Sequence, residues 1–277
     1  MNPNSQEPHV SAQVIARETL YVVKIGGNVI DDAPQLETFL EAFARINGKK
    51  ILVHGGGKIA TSIGDKLGIT SQYVDGRRIT DEATIDLVTM VYGGLVNKKI
   101  VAGLQAHHCN AIGISGADAN LIPAVKRPVK TIDYGWVGDI KEDLLRPGIW
   151  EWFLVHQMVP VVAPLTHDKM GHILNTNADT IASALATSLS TAYQVKLVFC
   201  FEKEGVLADM EDANSVITEL DHRRYETMKE GGQLFAGILP KIDNSFDAIR
   251  KGVYRVIIGN SSKLGQLIEG KGGTTIL

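Results

Sequence analysis

Apolar residues along this chain follow two alternating patterns. Short unbroken runs, YVVKI at 21–25, KILVH at 50–54 and KLVFCF at 196–201, stand between longer stretches whose apolar positions recur every three or four residues. An unbroken apolar run bounded by turn residues fits a strand covered on both faces, and the longer spacing fits an amphipathic helix. The pattern predicts strands over 20–25, 50–54, 110–114, 159–163, 195–201 and 253–258, and helices over 34–46, 58–67, 81–107, 177–189 and 241–251. Strands alternating with helices define an α/β protein, an αβα sandwich around a mainly parallel central sheet. Two further segments read as hairpins: 70–80, with Asp75-Gly76 as its turn, and 129–140, with Tyr134-Gly135 in that place.

No repeat or low-complexity linker interrupts the pattern. A soft boundary near 163–171 divides an N-terminal lobe, about 20–165, from a C-terminal lobe, about 166–277, with one sheet expected to run through both. Residues 1–19 form a polar extension lacking the basic start and apolar core of a signal peptide. No uninterrupted apolar run approaches the roughly 18 residues of a membrane helix. Length, 277 residues, and 44% hydrophobic content support a sizeable core. A net charge of −3 argues against a nucleic-acid or membrane-surface binder, which needs a concentrated basic footprint. Cys109 and Cys200 each sit among apolar residues with no CxxC spacing, as buried reduced thiols would. The expectation is a soluble cytoplasmic protein.

Glycines cluster where the first two strands end: Gly26-Gly27 after YVVKI, and Gly55-Gly56-Gly57 after KILVH. Ligands of open parallel sheets bind at the carboxyl ends of strands. Glycine there lets backbone N–H groups approach an anion, and a following helix N-terminus adds its dipole. A tight packing turn would use the same residues. Neither a Walker A loop nor a GxGxxG fingerprint occurs. Lys24, inside the first apolar run, would suffer desolvation unless an anion meets it, or it lies on an edge strand and snorkels to water. Lys241 follows Pro240 at a helix start, where the dipole disfavours a cation unless a phosphate is bound; a solvated lysine is the plain alternative. Asn177 or Thr176 is a helix cap, and Asp179 falls in the first turn, favoured for a carboxylate with or without a further role. Arg78 is a hairpin residue or a clamp for a substrate carboxylate.

In this order and spacing the segments VKIGG (23–27), VHGGG (53–57), DGRRIT (75–80), NTNAD (175–179) and GILPK (237–241) resemble the amino acid kinase superfamily, and within it the N-acetylglutamate kinases of arginine biosynthesis. The likeness spans about 20–277. It implies a homodimeric enzyme that uses ATP, with Mg2+ carried on the nucleotide and no protein metal site, to phosphorylate the side-chain carboxylate of an N-acyl-L-glutamate. By position, Lys24 and Lys241 would stabilise the transferring phosphoryl group and Asp179 would orient them. Gly27 would meet the γ-phosphate, Gly56 and Gly57 the reacting end of the substrate, and Arg78 and Asn175 its α-carboxylate side. Phe201, Glu202, Lys203, Glu204, Gly205, Val206 and Leu207 would border the nucleotide. An ionised carboxylate acceptor needs no general base, so His54 reads as a strand-end structural residue.

The chain departs from the family at Ala236, and in FEKEGV where SDVxG is commoner; its short polar N-terminus argues against arginine feedback. The alternatives are an N-succinyl-L-glutamate kinase, another superfamily member, a non-catalytic arginine or nucleotide sensor, and a dinucleotide-dependent oxidoreductase. The intact lysine set disfavours the sensor, and the missing GxGxxG disfavours the oxidoreductase.

Overall fold

A computed structural model describes residues 17–74, 76–209, 212, 215–234 and 238–277. The N-terminal extension up to residue 16, the turn residue Asp75 and Ala236 lie outside the described residues.

The chain enters with β1 (Thr19–Ile25), passes through α1 (Gly27–Asp31) and α2 (Ala33–Ala44), and returns as β2 (Lys49–His54) into α3 (Gly57–Lys66). A hairpin of β3 (Gln72–Val74) and β4 (Arg77–Ile79) precedes one long helix, composed of α4 (Glu82–Val88), a π-helical segment (Thr89–Val96) and α5 (Asn97–Ala106). Next come β5 (Ala111–Ile114), the short paired strands β6 (Ala124–Lys126) and β7 (Gly138–Ile140), α6 (Pro147–Val155), β8 (Val159–Val162) and the hairpin β9 (Leu165–His167) with β10 (Ile173–Asn175). The remainder is α7 (Ala178–Leu189), β11 (Gln194–Phe201), β12 (Glu219–Leu220), α8 (His222–Glu230), α9 (Leu239–Arg250), β13 (Arg255–Asn260), α10 (Leu264–Ile268) and β14 (Thr274–Ile276).

Eight strands form the central sheet in the order β12-β14-β13-β11-β1-β2-β8-β5, parallel except for the β13–β14 pair. β1 lies inside this sheet, between β11 and β2, so Lys24 is not on an edge. Alternation along β1 sends Leu20 and Val22 to one core and Tyr21, Val23 and Ile25 to the other. The first core holds Trp150 with Ile181 and Leu185 of α7 and Ile242 and Phe246 of α9. The second holds Phe39 and Phe43 of α2 with Leu87, Ile100 and Leu104 of the long helix. Lys24 shares the parity of Leu20 and Val22, so it rises on the face covered by α7 and α9.

Each of the six expected strands and five expected helices is present, with ends shifted by no more than about two residues. The helix expected over 81–107 has the right extent, but its middle is π-helical. Glu82–Ala106 has the length and mean hydropathy, 1.2 over its best window, of a membrane span. Here its apolar side packs into the second core, through Leu87, Val91, Val96 and Ile100.

The second hairpin differs from expectation. Tyr134-Gly135 is not the turn of a tight pair; β6 and β7 lie further apart in sequence. Thr80 N–H donates to Tyr134 O at 2.9 Å and Trp136 N–H to Thr80 O at 2.7 Å, so this stretch joins residue 80 instead of folding on itself. Gly135 makes that approach with φ +70°, and a Cβ there would strike the Thr80 carbonyl. Strands β9, β10, β12 and β14 were not expected; two or three residues are too few to display a period of two.

Phe43 is fully buried, with its ring stacked on Phe39 at 6.1 Å. Truncating Phe43→Ala should cost about 3–5 kcal/mol in equilibrium chemical unfolding. A loss below about 1 kcal/mol would mean that this core collapses around the cavity far more readily than close packing allows.

Candidate active site

Three side chains meet above the carboxyl end of β1. Lys24 projects from the strand, Asp179 from the first turn of α7 and Lys241 from the first turn of α9. Lys24 Nζ lies 2.8 Å from Asp179 Oδ1 and Lys241 Nζ 2.6 Å from Oδ2, so the two ammonium groups share one carboxylate, an oxygen each. Asp179 is placed by its own helix start: Asn177 caps α7, its side-chain oxygen accepting from the N–H groups of Asp179 (2.8 Å) and Thr180 (3.1 Å). Lys241 also lies 4.6 Å over the Phe199 ring.

The trio carries one surplus positive charge. Burial by itself raises the Asp179 pKa, but the two ammonium groups outweigh it and hold the carboxyl well below the usual carboxylate range. Burial pushes the Lys241 ammonium down and Lys24 adds to this, while Asp179 opposes both. Cys200, on the neighbouring strand, is pushed up to about 12 by burial, against the pull of the two lysines, so its thiol stays neutral. The cluster is not sealed: the side chains of Lys24 and Lys241 are each 15% exposed and that of Asp179 22%. Three partly exposed charged groups with a net positive charge form a receptor for an anion.

The two glycine turns follow the carboxyl ends of β1 and β2, the same end of the sheet from which Lys24 projects. Gly27 opens α1, and Gly57 opens α3 after Gly56 at φ +149°, a conformation that a side chain would strain. A Cβ on Gly56 would also lie 3.1 Å from Tyr92 Cδ1, so the turn packs directly on the π-helical segment. Gly55 N–H donates to Ile25 O at 3.2 Å, locking the second turn against the first.

Beyond the turns sits Arg78, which is 7% exposed. Its guanidinium donates to Gly57 O (2.8 Å), to Thr61 Oγ1 (2.9 Å) and to Ser71 Oγ, and it lies 4.8 Å over the Tyr73 ring. No carboxylate of the described residues lies within ion-pair distance of it. A buried cation supported only by neutral groups is ready for an anionic ligand. Asn175, ending β10, is tied to the same region: its Nδ2 donates to Thr80 Oγ1 (3.1 Å), which donates to Arg78 O (3.2 Å).

The loop after β11 forms the other side. Lys203, Gly205, Val206 and Leu207 line a mostly apolar cavity of about 180 Å³ with Gln233, Leu234 and Ile238. Phe201 completes β11, and Glu202 acts on Lys241 through its charge. Glu204 is engaged by Asn260 Nδ2 (3.0 Å) and Lys263 Nζ (2.8 Å), which brace the loop and leave that carboxylate away from the cavity lining. Of the seven loop residues, Lys203, Gly205, Val206 and Leu207 line this cavity, and Phe201, Glu202 and Glu204 do not. Gln233, Leu234, Ile238, Thr61, Ser71 and Tyr92 carry no sequence signal, since none belongs to a local motif.

Paired lysines over a parallel sheet, glycine turns and a buried arginine define a phosphotransferase-type α/β protein. The amino acid kinase family model matches residues 19–260, and the chain belongs to that family. An acetylglutamate kinase of Cytophaga hutchinsonii is 54% identical over 253 residues, 91% of this chain and 95% of the relative. One from Methanopyrus kandleri is 36% identical over 255 residues, 91% and 98% of the two chains. Among solved structures, N-acetylglutamate synthase of Neisseria gonorrhoeae, complexed with coenzyme A and N-acetyl-glutamate, superimposes with a TM-score of 0.77 at 22% identity over 93% of this chain and 59% of that one. Carbamate kinase of Giardia lamblia, bound to AMP-PNP, gives 0.69 at 14% identity over 95% and 99%. These two structures share the fold.

Because the folded-state pKa of Asp179 is depressed, its charge stabilises the fold above the unfolded carboxyl pKa of about 3.9, and that contribution is lost as pH falls below it. Urea midpoints measured from pH 7 to pH 2.5 should fall less steeply below pH 4 in Asp179→Asn than in the wild type. Identical slopes would contradict the shared ion pair.

Proposed function

We propose that this chain is an acetylglutamate kinase, transferring the γ-phosphoryl group of ATP to the side-chain carboxylate of N-acetyl-L-glutamate in the second step of arginine biosynthesis. The observation that carries this reading is the sharing of Asp179 by Lys24 and Lys241. The acetylglutamate kinases to which the chain is similar support the acetyl over the succinyl acceptor.

The acceptor carboxylate is ionised at neutral pH and needs no base. One of its oxygens attacks the γ-phosphorus, the bond to the β-bridging oxygen breaks, and ADP leaves with that electron pair. The difficulty is bringing two anions together, and it is met by positive groups already in place. Lys24 and Lys241 would cover the equatorial oxygens of the transferring group, with Asp179 holding both ammonium groups at the cleft. Gly27 at the start of α1 would offer its N–H to the γ-phosphate, and Gly56 and Gly57 theirs to the reacting carboxylate. Arg78 and Asn175 would hold the α-carboxylate end, and the cavity lined by Lys203, Gly205, Val206 and Leu207 would take the base of the nucleotide. Mg2+ on the ATP phosphates would supply further charge neutralisation.

In this reading the lobe at 20–165 binds the acyl amino acid and the lobe at 166–277 the nucleotide. The protein acts in the cytoplasm as a homodimer, for which the free edge of β5 and the exposed Met90 and Leu95 offer surface.

Acyl phosphate trapped with hydroxylamine should form from MgATP and N-acetyl-L-glutamate, and far less from N-succinyl-L-glutamate, free glutamate, aspartate, carbamate or UMP. Activity confined to carbamate or UMP would sink the assignment. Lys24→Ala and Lys241→Ala should each lower kcat about 10²–10³-fold; unchanged turnover in either would remove that lysine from the phosphoryl site.

A further inference from the structure

His54 is fully buried beside the glycine turn, yet the chemistry above makes no use of it. Both of its ring nitrogens are occupied. Nδ1 lies 2.7 Å from Gly55 O, and Nε2 lies 3.1 Å from Nδ2 of Asn97, the first residue of α5. Asn97 Nδ2 also donates to Val161 O of β8 at 2.9 Å, while its Oδ1 accepts from Lys98 Nζ at 3.2 Å. This orientation of the amide is the one its neighbours permit, since the reverse would set its oxygen against the Val161 carbonyl and its N–H groups against the lysine. Asn97 therefore donates to His54 Nε2, and the imidazole proton sits on Nδ1, donating to Gly55 O. Burial pushes the imidazole down to about 4, which keeps it neutral and preserves that direction.

The Gly55 residue is thus held at both ends, its N–H by Ile25 O and its carbonyl by His54. The Gly56-Gly57 turn begins directly after it. The π-helical segment makes this arrangement possible. In a regular α-helix residues five apart point about 140° away from each other; i→i+5 bonding closes that angle. Tyr92 and Val96, which pack on Gly56, and Asn97, which holds His54, accordingly all face one loop. Gly113 on β5 clears the space, because a Cβ there would collide with Asn97 Oδ1.

We infer that His54 and Asn97 are positioning residues for phosphoryl transfer, acting through the Gly55 carbonyl to aim the glycine turn at the reacting carboxylate. This rests on the kinase function proposed above. Neither residue touches substrate; they set the direction of the donors that do. A loop displaced by about 1 Å can lose on the order of 10²-fold in rate.

The test separates positioning from bulk stability with two substitutions at one site. His54→Asn can place its amide N–H where Nδ1 was and keep the bond to Gly55 O; His54→Gln reaches Asn97 and loses that bond. Turnover is measured by hydroxylamine trapping on whichever acceptor the wild type phosphorylates, so a wrong acceptor assignment does not affect the comparison. We expect His54→Gln and Asn97→Ala to lose about 10²-fold in kcat, with KM for ATP within about threefold, and His54→Asn to recover most of that loss. Equal turnover in His54→Asn and His54→Gln, at matched melting temperatures, overturns the proposal. Nitrogen-15 NMR of wild-type His54 decides if the variants fail to fold: a proton on Nδ1 and a bare Nε2 support it, and a proton on Nε2 contradicts it. Wild-type protein inactive on every acceptor would refute the kinase function while leaving the tautomer measurement intact.

Discussion

On the proposed function two anions must be brought into contact at this site, and the positive charge that would allow it is gathered on one carboxylate. Lys24 and Lys241 come from opposite ends of the chain and meet on one carboxylate. Two cations side by side in a partly buried place would repel each other and lose hydration. Asp179 offsets both effects and still leaves a surplus charge for a ligand. This constraint explains why Lys24 occupies an interior strand. Only an interior strand of a sheet with α7 and α9 on its face brings its terminal side chain within reach of both helix starts. An edge strand would have left Lys24 in water and the trio unformed.

Around the cluster the backbone does as much as the side chains. The turns after β1 and β2 are tied by the Gly55–Ile25 hydrogen bond, and the second is packed from behind by the π-helical segment. Arg78 is fixed by Gly57 O, Thr61 and Ser71, so the hairpin that carries it moves with α3 and the glycine turn. Thr80 continues the chain of bonds to Tyr134, Trp136 and Asn175. The region around Arg78 is one hydrogen-bonded unit, and the proposed function makes it the acceptor side, built before any ligand arrives, as electrostatic preorganisation requires.

How much of this could be read from the sequence depended on how local the cause was. Lys24 stood out because a charge inside an apolar run violates its own pattern, and Asn177 because helix caps are set by neighbours two and three residues away. Arg78 read from the residues alone as either a hairpin residue or a carboxylate clamp, and Asn175 entered only through the resemblance. The π-helical segment was invisible, since TMVYGGLV has the apolar content of any core helix and its register is set by contacts with the loop at 54–57. Tyr134-Gly135 misled because a glycine needing positive φ looks the same in a hairpin turn and in a close approach to Thr80. The cavity wall joins Lys203, Gly205, Val206 and Leu207 to Gln233, Leu234 and Ile238, separated in sequence by β12 and α8, so no local signal could connect them.

The charge gathered at Lys24, Asp179 and Lys241 is, on this reading, there to receive a transferring phosphoryl group. A crystal structure with MgADP, aluminium fluoride and N-acetyl-L-glutamate tests this most directly. It should place the planar fluoride group with both Lys24 Nζ and Lys241 Nζ at hydrogen-bond distance, about 2.7–3.2 Å, and the acceptor carboxylate in line on the Gly56-Gly57 side. A fluoride group bound elsewhere, with the two lysines still closed on Asp179, would contradict it.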